Sequence, residues 1–244
     1  MKTAIDPFDG QKITPENYLA RWGHKALGIQ EDQRPRMYCN VCEQTLHHVA
    51  GRTRDSAGHF AHLPKSGFCP TKATAALPYG HLTPTHPDPV RAKWIREQAM
   101  QHWQWIFHEM AIRCPNFDAY EFIELIKVAD RDGLWGYRNL TLLQVPELFL
   151  VSRDFTPRTS KFRKAWFRFW FSANIRSIDE LWITPPENVQ LLRAEFPAPK
   201  GRQKTPYPHE IEDVIKCQQI MGIHENVKIR DFAARVIPEA LGIK

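Results

Sequence analysis

Cys39, Cys42, His59, His62 and Cys69 are the residues of this chain whose types and spacing could do chemistry. They read Cys39-x2-Cys42-x16-His59-x2-His62-x6-Cys69, a dense set of thiolate and imidazole donors. Zinc takes four such donors in a tetrahedron, and Cys-x2-Cys is a standard turn that offers two thiolates to one ion. The second pair has two solutions: His62 with Cys69, or His59 with His62. The first is favoured, because histidines three apart need a turn to converge on one ion. A structural Zn²⁺ is therefore the expected cofactor. His47 and His48 flank the turn and read as exposed strand histidines.

The elements that must position these donors are short. Met37-Tyr38 reads as a strand entering the metal turn. Residues 41–51 and 58–62 read as short strands around a polar turn over 52–57. The sequence between 13 and 29 mixes helix and strand signals and assigns neither.

Tyr38-Cys39-x2-Cys42, the polar hairpin and then Gly58-His59-Phe60-Ala61-His62 together resemble the N-terminal zinc-finger-like region of the competence protein CoiA family, over residues 13–70. The resemblance implies a cytoplasmic protein that handles DNA, with a nuclease-like domain following the zinc unit. A nuclease of that class needs an acidic residue and then a Glu/Asp-x-Lys strand to hold Mg²⁺. Residues 89–196 lack this pattern. Glu124 and Lys127 have the wrong spacing on a helix, and Asp130, Asp132, Asp154, Asp179 and Glu180 have no suitably placed Lys. No complete catalytic motif is recognisable, and a diverged metal-dependent nuclease is the leading enzymatic alternative.

Composition bounds the rest. The chain has 244 residues, 43% of them hydrophobic and 25% charged, so it is expected to be globular. Its five cysteines do not form a disulfide framework, which predicts a reducing compartment and a cytoplasmic location. No apolar run approaches the roughly 18 residues of a membrane span, and the N-terminus has no apolar signal core. A formal charge of +6 leans towards a polyanionic partner, DNA or RNA.

The basic residues cluster. Arg158, Lys161, Arg163, Lys164 and Arg168 precede or interleave with Trp166, Phe167, Phe169, Trp170 and Phe171. Lys200, Arg202 and Lys204 lie in a proline-rich stretch. These eight cations are the candidate nucleic-acid contacts, since Lys and Arg neutralise phosphates while exposed aromatic planes stack on unpaired bases. The competing reading is a buried aromatic strand preceded by a solvated loop.

The organisation that follows is α+β: a small zinc-stabilised β unit, then a mostly helical domain with a few aromatic-rich strands. The boundaries are 1–72 for the zinc unit, 88–196 for the α+β domain, 197–208 for a basic linker and 209–244 for a helical pair. A helix is expected from Asp88-Pro89 to Cys114, and another from Asp118 to Gly133 with Asp118 and Glu121 as a capping box. Residues 140–151, broken by Pro146, read as short strands. Residues 164–175 read as an aromatic strand, and 177–183, 184–196, 210–221 and 227–241 as helices. The expected function is nucleic-acid binding, as an accessory factor in DNA processing, mobile-element biology or defence. A zinc-stabilised adaptor for a protein partner is the other alternative.

Overall fold

The computed structural model describes residues 1, 3–23, 34–51, 53, 56–66, 69, 79, 82–158, 163–171, 178–182, 189–197, 213–225 and 227–243. The architecture is α+β: an N-terminal antiparallel sheet, then a mostly helical region carrying a second small sheet. It divides into two compact units, whose described residues fall in 1–75 and in 76–198 with 213–244.

In the first unit, β1 (Ala4–Ile5) and β2 (Lys12–Ile13) precede α1 (Pro15–Trp22). Strands β3 (Met37–Tyr38), β4 (Thr45–Val49) and β5 (His59–His62) follow. The sheet order is β2-β1-β3-β4-β5, with antiparallel pairing throughout. The undecided segment after Ile13 thus starts with a helix. Thr14 caps it by accepting from Asn17 N, and Pro15 fits the first turn, where no backbone donor is needed. Gly58 turns the chain into β5 with a φ of 83°. A Cβ there would stand 2.0 Å from the Val49 carbonyl oxygen, so only glycine fits.

In the second unit, α2 (Pro89–Gln101), α3 (Trp103–Arg113) and α4 (Ala119–Asp132) come first and share the core with the elements that follow. Asp88 caps α2 through Val90 N and Arg91 N. The apolar stripe predicts one helix to Cys114, but the chain breaks at His102, whose φ of −107° and ψ of 23° lie outside the helix. Asp118 caps α4 through Glu121 N, and Gly133 ends it in the left-handed conformation.

Three segments differ from expectation. Residues 140–151 contain α5 (Val145–Val151), not strands: Pro146 sits in the first helical turn and starts the helix instead of breaking a strand. Strand β6 (Trp166–Phe171) pairs with β7 (Leu191–Phe196), which replaces the second half of a predicted helix. Strand β8 (Asp213–Lys216) pairs with β7 where another helix is expected. Cross-strand burial overrides helix propensity here: Leu192, Ala194 and Phe196 alternate into the interior. Finally, α6 (Asp231–Leu241) contains Pro238 and buries Ala233 and Ile237.

Phe107, Phe117, Phe122, Phe155 and Phe169 form a chain of ring contacts inside this unit. Strand β6 is buried on both faces, tryptophans included. Among the described residues, no helix is long and apolar enough to cross a membrane.

Candidate metal centre

Four side chains of the first unit converge: Cys39, Cys42, His62 and Cys69. Their donor atoms all lie within 4.8 Å of one another. The Cys39 and Cys69 sulfurs are 3.9 Å apart, and Cys42 Sγ stands 3.2 Å from His62 Nε2. A tetrahedron with metal–sulfur bonds of about 2.3 Å has edges of about 3.8 Å, so the cluster has the size that zinc requires.

The local structure explains the convergence. Cys39 leaves β3, and the turn closes when Cys39 N donates to Gln44 O and Glu43 N donates to Cys39 O, both at 2.9 Å. Val41 N points at Cys39 Sγ, 3.4 Å away, a contact that stabilises a thiolate. Glu43 closes the turn at a φ of 58°, an uncommon conformation for a residue with a side chain. His62 ends β5 and pairs in register with Leu46 on β4, which brings it over the turn. Cys69 arrives from the segment after β5 and is buried, as is Cys39.

His59 does not join them. It opens β5, paired with Val49, and is exposed. Strand residues three apart point to opposite faces, so β5 cannot aim both histidines at one ion. Of the two candidate sets, the structure brings together the one containing Cys69. His48, expected to be exposed, is half-buried: its Nε2 donates to Ala57 O at 2.5 Å, and its ring stacks on Tyr18.

The thiols resist ionising without a cation. Hydrogen bonds from Cys42 and Cys69, then burial, push Cys39 far above the ordinary thiol range. The Cys39 contact favours the Cys42 thiolate, but Cys69 and burial outweigh it and push Cys42 up to about 12. Three crowded sulfurs can all be thiolates only if a multivalent cation compensates them.

The basic residues singled out in the sequence scatter. Arg163 is buried, with Nη1 2.9 Å from Glu121 Oε2, Nη2 on Glu121 Oε1 and Nε donating to Thr156 O. Glu121 therefore does not close a capping box; its carboxylate is taken by Arg163. Arg168 is also buried, with Nε and Nη2 donating to the Asp154 carboxylate at 2.7 and 2.6 Å. Arg158 is half-exposed and pairs with Asp118, while Lys164 is exposed. Lys161, Lys200, Arg202 and Lys204 lie outside the described residues.

The acids weighed for a nuclease are also engaged. Asp130 accepts from Arg96 and Trp135, Asp132 from Arg131, Asp154 from Arg168 and Asp179 from Thr85. The pairs with the two buried arginines carry a signal that a linear scan misses: partners 14 and 42 positions apart.

A family described as a domain of unknown function (DUF7830) matches residues 24–76, a span that contains the whole metal cluster and none of the helical unit's elements. Neither the curated proteins nor the solved structures contain a match to this chain.

Proposed function

We propose that Cys39, Cys42, His62 and Cys69 hold one structural Zn²⁺, and that the chain is a nucleic-acid-binding accessory protein of DNA processing, mobile-element biology or defence. One observation carries the metal reading: four donor atoms within 4.8 Å of one another, supplied by a Cys-x2-Cys turn, a strand end and a downstream segment. Three sulfurs and one imidazole suit zinc and disfavour the hard cations that oxygen ligands hold. With four protein ligands the coordination sphere is filled, so the ion holds the fold together and leaves no position for substrate. Its binding free energy, about 10–16 kcal/mol in small zinc domains, is of the size of a whole domain's stability.

The nucleic-acid reading rests on less. It is supported by the formal charge of +6, by exposed Lys164 beside half-exposed Arg158, and by the resemblance of the zinc unit to CoiA-like proteins. Arg163 and Arg168 are withdrawn from it by their internal ion pairs.

The test is binding of the zinc-replete protein to labelled single- and double-stranded DNA across a salt series with Mg²⁺, the products being run on a denaturing gel. Affinity falling steeply with salt supports phosphate contacts. Shortened products would replace the accessory role by a nuclease. No binding at low salt removes the nucleic-acid reading and leaves the adaptor.

A further inference from the structure

A cavity of about 480 Å³ opens in the second unit, where the α3–α4 corner meets the segment leading into α6. Its volume falls in the range of small-molecule sites, about 300–1,000 Å³. Phe107 and Phe117 form its floor, with ring centroids 5.5 Å apart. Phe232 stands at the mouth, 48% exposed, in edge contact with the exposed ring of Tyr120. The two rings together leave aromatic surface open to solvent at the rim of the cavity.

The charges around this apolar bowl are not balanced. Arg158 and Arg163 line it, but Asp118 and Glu121 offset them. Lys228 and Arg230 line it too, both are exposed, and neither forms an ion pair among the described residues. Asp231 follows at the first position of α6, without an ion pair to either. Arg230 is the N-cap residue of α6, and no side chain caps that end. Backbone donors at an uncapped helix start favour an anion. Burial, and to a lesser degree the neighbouring Arg163, lowers the Arg158 pKa.

We infer that this cavity binds an organic phosphate: the phosphate lies between Lys228, Arg230 and the start of α6, and a planar ring lies against Phe107, Phe117 and Phe232. Two surplus cations match a phosphate monoester, which carries about −1.5 to −2 charges at neutral pH, better than a single carboxylate. The aromatic walls match a nucleobase-like ring. A free mononucleotide and the 5′-phosphorylated end of a strand share this chemistry. The site is built from residues of the second unit alone and does not depend on the nucleic-acid reading.

The test is calorimetric titration of the zinc-replete full chain with AMP, adenosine, inorganic phosphate, and a short oligothymidylate with and without a 5′-phosphate. The variants are Lys228→Ala/Arg230→Ala and Phe232→Ala, each checked for an unchanged melting temperature. AMP should bind at least tenfold more tightly than adenosine or phosphate. The double variant should lose at least tenfold, and Phe232→Ala should weaken AMP but not inorganic phosphate. A preference for the 5′-phosphorylated oligonucleotide over AMP supports the site with a strand end as its source. A preference for AMP supports it with a free nucleotide. AMP binding without any DNA binding leaves this inference standing and removes the nucleic-acid reading. No AMP binding, AMP no tighter than phosphate, or unchanged affinity in the double variant overturns it.

Discussion

Arg163 and Glu121 face each other in the interior of the second unit, 2% exposed each. The guanidinium spans both carboxylate oxygens, and its Nη1 also reaches Cys114 Sγ at 3.8 Å. Burial works against the charged guanidinium, but the Glu121 hydrogen bond and charge outweigh it and raise its pKa further. This pair ties the approach to β6 onto the first turn of α4, whose N-terminus also favours a negative side chain.

Removing one partner strands the other charge in the interior. Glu121→Gln should therefore destabilise the protein by about 3–5 kcal/mol, a loss read from the urea unfolding midpoint. The double replacement Glu121→Leu/Arg163→Met should recover much of that loss. A Glu121→Gln protein within about 0.5 kcal/mol of wild type would contradict the buried pair.

Glu147 gives the protein a pH dependence. Burial pushes its carboxyl from the ordinary 4.5 up to about 7; Arg113 opposes the shift and Glu109 adds to it. A raised folded-state pKa means that the associated stability is fully present below about pH 4.5 and is lost as pH rises through about 7. The shift is worth at most about 3 kcal/mol. Glu147→Gln should be more stable than wild type at pH 8 by up to that amount, and the gap should close towards pH 5. A gap that is constant from pH 5.5 to 8 in urea titrations would rule this out.

The helix cap at Asp88 should be separable from all of this. Asp88→Ala removes acceptors for Val90 N and Arg91 N and should cost about 1 kcal/mol. Differential scanning calorimetry should show a lower melting temperature with unchanged metal content. Metal loss in this variant would contradict a cap that acts on α2 alone.

Chelation should act on the first unit. If the proposed Zn²⁺ sits in the cluster, its removal by EDTA should free the β3, β4 and β5 strands from their tie to Cys69. Hydrogen exchange of the amides of β4 and β5 should then accelerate towards unprotected rates, while α3 and α4 stay protected. Equal protection of β4 and β5 with and without chelator would show that the cluster does not hold the fold.

The candidate metal cluster was legible in the sequence because Cys-x2-Cys is a local turn and His62 falls at the end of a short strand. The exclusion of His59 needed only the period of that strand. Helix α4 was legible from Asp118 to Gly133 because its cap, stripe and stop agree. By contrast, β7 and β8 could not be read locally. Leu191–Phe196 carries Leu, Arg, Ala and Glu, good helix formers, and becomes a strand because β6 and β8 flank it. The role of Arg168 was hidden for the same reason: its Asp154 partner lies 14 positions away, and a basic run in one dimension is an internal ion pair in three. The cavity beneath Phe232 joins residues more than a hundred positions apart, which no spacing rule connects.

The most direct test of the central claim is metal content by inductively coupled plasma mass spectrometry, on wild type, Cys69→Ser and His59→Ala purified without chelator. One zinc per chain is expected in wild type and in His59→Ala, with loss of most of it in Cys69→Ser. Zinc retained in full by Cys69→Ser and lost from His59→Ala would contradict the site, as would a metal-free wild type that does not take up added zinc.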